Sequence, residues 1–324
     1  MEKRQLGKSG LYVAPLTFGG NVFGWTINEK TSFELLDAFV AAGFNLVDTA
    51  DVYSRWATGN NGGESETIIG NWMKQRGNRN RVIIATKVGG DMGEGKTLSK
   101  NYILRAVENS LRRLQTDYID LYQSHYDDTR TSVDETLQAY TQLVKEGKVR
   151  VIGASNFTAE RLLHSFDASK QNDYPVYQTL QPLYNLYDRE VYENELEPLC
   201  IEHSLGVINY YSLASGFLTG KYRTEKDLKK STRGAGIQKF LTERGYRILA
   251  ALDEIAKEYN TKPASIAIAW LLARQSITAP IASATSITQL NSLISATQLK
   301  LKADAIVSLN NASSTIKTII ESRP

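Results

Sequence analysis

Cysteine is nearly absent. Cys200 is the only one in 324 residues, which excludes an internal disulfide and any centre built on several thiolates. It lies in the apolar helical context Glu197-Pro198-Leu199-Cys200-Ile201, where a buried, inert thiol is expected rather than a reactive one. Long apolar runs are missing too. The longest window, residues 264–273, is interrupted by Ser265 and is too short to span a bilayer. The polar start Met1-Glu2-Lys3-Arg4-Gln5 has no apolar stretch behind it, so a cytoplasmic protein without a signal peptide and without a membrane partner is expected. Excess charge of one sign is likewise absent. A formal net charge of +3 with no basic helix argues against a nucleic-acid partner. One local exception stands out: residues 221–247 carry nine basic side chains against three acidic ones. No Pro/Gly/Ser-rich linker, repeat or low-complexity segment divides the chain, and a single domain over residues 1–324 is expected.

What the sequence does contain is alternation. Residues 4–13 read as a small hairpin turning at Gly7-Lys8-Ser9-Gly10. Strand-like runs follow at 16–18, 45–47, 82–86, 118–124, 149–154, 176–180, 207–210 and 277–281. Helix-like segments between them, such as 32–42, 65–75, 100–114, 133–146 and 159–167, repeat apolar residues three and four apart. Gly43, Gly77 and Gly147 stand where helix ends are expected, and Ser99 and Thr158 where helices begin. Eight strands alternating with helices predict a (β/α)8 barrel, an α/β fold, with the hairpin across its N-terminal end. A doubly wound sheet would want a G-x-G-x-x-G turn after its first strand. Here that place reads Phe18-Gly19-Gly20-Asn21-Val22-Phe23-Gly24, with the wrong spacing.

A barrel carries its chemistry at the C-terminal ends of its strands. Asp48 and Tyr53 end or follow the second strand, Lys87 the third, His125 the fourth and Asn156 the fifth. Each has a bland reading: a loop lysine, a turn aspartate, a packed histidine. A lysine facing the barrel mouth needs a counter-charge, however, and Asp48 is available. A phenol is a weak acid near pKa ~10, and a neighbouring ammonium draws that value down. No second His or Cys lies at ligand spacing from His125, so no metal site is expected.

Asp48-Thr49-Ala50-Asp51-Val52-Tyr53, Lys87, His125, Gly153-Ala154-Ser155-Asn156-Phe157 and Gly216-Phe217-Leu218-Thr219-Gly220-Lys221-Tyr222 together resemble the aldo-keto reductases, most nearly the microbial and channel-subunit branches. The resemblance implies NADPH-dependent reduction of a small carbonyl compound, with NADH less suited. It implies Tyr53 as proton donor, Lys87 and Asp48 as its support, and His125 as the group that orients the carbonyl. It assigns the carboxamide of the nicotinamide to Ser155, Asn156 and Gln178, and the ring face to Tyr210, with Tyr211 as the alternative. It puts Gly216, Leu218 and Lys221 along the pyrophosphate and Ser283, Thr285 and Gln289 at the adenosine. Gly20, Ser212 and Leu213 join the cofactor set, and a homo-oligomer is compatible with it.

The chain departs from the family pattern in places. The loop 54–63 after Tyr53 is long and unusual, and its Trp56, with Trp25, is expected to wall the substrate pocket. No cation stands between Ser283 and Gln289, so the extra phosphate of NADPH is expected to find Lys229, Lys230 and Arg233 instead; the competing reading of those three is a solvated basic loop. Two other functions compete with the reductase. One is a cofactor-binding regulatory subunit with slow turnover. The other is a hydrolase with paired carboxylates, for which no carboxylate facing Asp48 is evident.

Overall fold

The computed structural model describes residues 2–232 and 234–315. Two short strands, β1 (Arg4–Gln5) and β2 (Tyr12–Val13), form an antiparallel hairpin. Eight further strands lie parallel in one sheet: β3 (Thr17–Gly19), β4 (Leu46–Asp48), β5 (Ile83–Val88), β6 (Ile119–Ser124), β7 (Val149–Ser155), β8 (Thr179–Gln181), β9 (Gly206–Val207) and β10 (Ile281–Ala282). From β3 to β9 each is hydrogen-bonded to the next in sequence, and β10 returns to pair with β3. Between β9 and β10 the ring is completed by a parallel bridge from Val207 to Ile277 and by the Ile281 N–H donating to the Asn209 carbonyl at 3.0 Å. The sheet is therefore a barrel.

Helices α1 (Glu29–Ala41), α2 (Glu64–Arg76), α3 (Lys100–Leu114), α4 (Val133–Lys145), α5 (Ala159–Asn172), α6 (Glu197–Glu202), α7 (Glu243–Glu258), α8 (Pro263–Leu272), α9 (Ile287–Ala296) and α10 (Ala303–Ser313) complete the fold. Asn28, Ser132, Thr158, Thr242 and Ser286 cap five of them, each accepting the main-chain N–H three residues on. Ser99 stands at the start of α3 but makes no such bond. The Lys100 N–H goes to Glu135 Oε1 at 2.9 Å instead. No helix of the described residues is long and apolar enough to cross a membrane.

Strand periodicity sorts the barrel into an inside and an outside. Leu46, Ala85, Leu121, Val151, Ile208 and Ala279 point inward near the N-terminal end and pack with Leu6, Leu11 and Val13 of the hairpin, which closes that end. Their neighbours Val47, Ile84, Tyr122, Ile152 and Leu180 point outward into the core shared with the helices. Gly7, at φ +61°, lets the hairpin turn approach the Gln178 carbonyl where any Cβ would collide. Two residues beyond the apolar inner layer, the same inward parity presents Asp48, Lys87, Gln123 and Gln181. The site starts there.

Candidate active site

Lys87 has no exposed surface, so its charge must be answered within the protein. Its Nζ donates to Asp48 Oδ2 at 2.7 Å, to the Thr49 carbonyl at 2.7 Å and to the Tyr53 hydroxyl at 3.1 Å. Three bonds use the three donors of an ammonium. Asp48 Oδ1 accepts from Gln123 at 3.2 Å and from Gln181 at 2.9 Å, and Gln181 also donates to Gln123 at 3.2 Å. The network is thus closed around one open group, the Tyr53 phenol. Burial works against the charge on Lys87, but Asp48 and Tyr53 outweigh it and its pKa lies above the ordinary value. For Tyr53 burial is the largest influence and raises the pKa; Lys87 opposes it without reversing it. The expectation that the ammonium draws the phenol below its ordinary value is corrected here, because a site deep enough to bury the ammonium also withdraws solvation from the phenolate.

His125 follows β6 and is 6 % exposed; its ring meets Tyr53 edge-on at 5.8 Å and stacks on Tyr126 at 4.6 Å. Burial, with Lys87 second, holds its pKa well below the usual histidine range, so the imidazole is neutral at pH 7. Its Nδ1 is buried without a partner among the described residues. Asn156, at φ +56°, donates to the His125 carbonyl at 2.9 Å and accepts from the Tyr210 hydroxyl at 2.7 Å.

These groups stand at one end of a cavity of about 1280 Å³. Ligand pockets are usually ~300–1,000 Å³, so this one has room for a dinucleotide and a small substrate together. From Tyr53 and His125 it runs past Ser155, Asn156 and Tyr210, along Ser212, Leu213, Gly216 and Lys221, to Ser283, Thr285 and Gln289. Trp25 and Trp56 wall its open side, in edge contact at 5.6 Å, and Trp56 also meets Tyr53 at 5.4 Å. Loop 54–63 holds Trp56 there. Glu64 accepts the N–H groups of Ser54, Asn61 and Gly62, and Asn60 donates to the Gly24 carbonyl at 2.8 Å.

Several expected contacts lie elsewhere. Gln178 does not line the cavity. It sits at the hairpin end, and its parity along the strand is that of outward-facing Leu180. Gln181, inward-facing and three residues later, lines the cavity in its stead. Gly20 is behind the wall, packed on Ser65 and the Asp48 carbonyl, while its neighbours Gly19 and Asn21 face the cavity. Leu218 is wholly buried in the outer core; Ser215, Gly216 and Thr219 take the lining. Lys229 and Lys230 do not line it either, and Lys230 is occupied by Asp227 at 2.7 Å and by the Lys221 carbonyl at 3.2 Å. Arg233 lies outside the described residues. Sequence reasoning missed Lys262, which precedes α8 and lines the cavity with Thr288, Gln289 and Ser292. Its position just before Pro263 at a helix start was the available signal.

A barrel with an Asp–Lys–Tyr chain at its mouth and a long cleft beside it defines an oxidoreductase site of a particular kind, and the comparisons agree. The chain belongs to the aldo/keto reductase family, whose model matches residues 15–313. It is 36% identical over 319 residues to the uncharacterized oxidoreductase YrpG of Bacillus subtilis (strain 168), covering 96% of this chain and 95% of that one. It is 37% identical over 261 residues to the aldo-keto reductase YhdN of the same organism, covering 78% and 74%. A probable voltage-gated potassium channel subunit beta of Oryza sativa subsp. japonica is 32% identical over 299 residues, covering 90% and 89%. The chain is accordingly an NAD(P)H-dependent oxidoreductase acting on small carbonyl compounds.

Proposed function

We propose that the chain reduces aldehydes or ketones to alcohols with NADPH, and that Tyr53 is the general acid. The observation that carries this reading is the Asp48–Lys87–Tyr53 chain of hydrogen bonds opening onto a cavity of dinucleotide size. A bound reduced nicotinamide supplies the hydride. Tyr53 gives its proton to the carbonyl oxygen, and Lys87, 3.1 Å from the phenol oxygen, stabilises the phenolate left behind. Asp48 keeps Lys87 charged and aimed. A phenol whose pKa is raised by burial keeps its proton until the carbonyl oxygen gains charge, as an acid must. His125, neutral, donates a hydrogen bond that orients the carbonyl. A proton on its buried Nδ1 would have no acceptor, which favours the tautomer protonated at Nε2.

Ser155, Asn156 and Gln181 suit the carboxamide, since each offers amide or hydroxyl groups at the cavity wall. Tyr210 offers its ring face, with its hydroxyl tied to Asn156. Left-handed backbone at Ala214, Ser215 and Gly216 beside Lys221 suits the pyrophosphate. Lys262 supplies the cation that the loop after β10 lacks, and with it the preference for NADPH over NADH.

A second reading, a regulatory subunit that binds cofactor and turns over slowly, draws on the likeness to the rice channel subunit. Sustained oxidation of excess NADPH by 4-nitrobenzaldehyde is expected for the enzyme. Oxidation that stops after about one equivalent per chain would favour the regulatory subunit.

A further inference from the structure

Beyond Tyr53 and His125 the cavity is walled by Trp25, Trp56, Tyr126 and Tyr211, and the Lys96 ammonium overhangs this end. Lys96 lies between β5 and α3. Its carbonyl accepts from Arg130 Nη2, which ties its backbone in place. Its ammonium stands 3.7 Å from the centre of the Tyr126 ring, which in turn stacks on His125, which meets Tyr53. Three ring contacts therefore connect the ammonium to the acid phenol. Its field reaches the imidazole: after burial and Lys87, Lys96 is the next influence lowering the His125 pKa.

The other charges here are already answered. Asp91 is paired with Arg55 at 3.6 Å and accepts the N–H groups of Gly93 and Gly95 at 2.8 and 3.0 Å. Lys87 is held by Asp48. Lys96 has neither an ion-pair nor a hydrogen-bond partner among the described residues, only the face of Tyr126. Among the described residues, the mouth thus presents flat aromatic walls and the unpaired Lys96 ammonium, separated from the phenol by those three ring contacts.

We propose that Lys96 selects carbonyl substrates bearing an anionic group, a carboxylate or similar anion at the end remote from the carbonyl, and so determines the specificity of the site. This rests on the carbonyl-reductase reading above. A neutral ring binds the aromatic walls alone. An anionic one adds a charge-assisted bond to an ammonium that otherwise faces only water and a ring. A lysine that merely extends into solvent would not distinguish the two.

The test compares 4-carboxybenzaldehyde with its neutral counterpart methyl 4-formylbenzoate, using NADPH and the full chain. Wild type should show the lower KM for the acid. Lys96→Gln should raise that KM by about five- to tenfold, the range between an exposed ion pair and a charged hydrogen bond. It should leave kcat for both compounds, and KM for the ester, unchanged. Lys96→Arg should restore the preference, and about 0.5 M KCl should erase it in wild type. Equal effects of Lys96→Gln on acid and ester, or none on either, would overturn the proposal. If wild type reduces neither aldehyde, the reductase reading fails by itself. Titration calorimetry of the same two compounds into the NADPH-loaded chain then decides the role of Lys96 by the same comparison of affinities, wild type against Lys96→Gln.

Discussion

The two ends of the cavity are built from different materials. The catalytic end is made by strands. Asp48, Lys87, Gln123 and Gln181 sit at the inward positions of β4, β5, β6 and β8, and their bonds close on one another within 2.7 to 3.2 Å. The cofactor arm is made by turns. Tyr211, Ala214, Ser215 and Gly216 are left-handed, Ser283 ties back to the Gly19 carbonyl, and Gln289 folds onto Thr285. One end is a mutually supporting polar network inside a packed barrel, where removing a member strands its partners. The other is a row of separable contacts along a groove, where removing a member loses only that contact. The difference predicts how each end breaks.

The largest effect should come from Lys87→Met. It removes the support of the Tyr53 phenol, and carbonyl reduction should fall by about 10²–10⁴-fold, the usual worth of acid–base assistance. It also leaves Asp48 buried with only its two glutamine donors. Stability should fall by about 3–5 kcal/mol, read from the denaturant midpoint. Loss of activity at full stability would mean that the network is not mutually supporting.

Asp51 sharpens the contrast within the catalytic end. It lies three residues past Asp48 and is as buried, yet both its carboxyl oxygens lack a partner among the described residues. Burial, then Glu66, pushes its pKa up to about 8, against Arg113. A folded pKa above the unfolded one means that the contribution to stability is full below about pH 4 and is lost as pH rises through about 8. Asp51→Asn should therefore stabilise the protein by about 1–3 kcal/mol at pH 9 and by little at pH 4, with carbonyl reduction kept. Equal midpoints for variant and wild type at pH 9 would show that the carboxylate has found a partner after all.

At the cofactor arm the effects should be smaller and confined to binding. Lys262→Gln should weaken NADPH by about two- to fivefold and leave NADH unchanged, with stability intact. The wild-type preference should shrink in high salt. A Lys262→Gln variant with the full preference would return the phosphate contact to the basic segment around Lys229 and Lys230.

The same contrast explains what the sequence disclosed. The rule that function sits at the ends of barrel strands brought Asp48, Lys87, His125 and Asn156 into view together. The C-terminal ends of apolar runs are recognisable from hydropathy alone. Where the run was short, the reading slipped. The strand expected at 176–180 is β8, Thr179–Gln181; the carboxamide place that the resemblance gave Gln178 falls at an outward position, and inward Gln181 lines the cavity. Along the arm no periodicity is available. Gly20 and Leu218 look like cofactor contacts in sequence, yet they face the core, while Lys262 arrives from a helix start far along the chain. The sign of the Tyr53 shift was not legible either. It depends on how deeply the phenol is surrounded, which only packing decides.

The most direct measurement is on Tyr53→Phe, which removes one oxygen from the open end of the network and leaves the Lys87–Asp48 pair bonded. NADPH affinity and the unfolding midpoint should stay within about twofold and about 1 kcal/mol of wild type, since among the described residues the hydroxyl bonds only to Lys87 and the ring contacts are kept by Phe. The single-turnover rate of 4-nitrobenzaldehyde reduction should drop by about 10²–10⁴-fold. A Phe variant that binds NADPH and keeps more than about a third of the wild-type rate would contradict the account, because an acid contributing in the range known for such groups cannot be lost so cheaply.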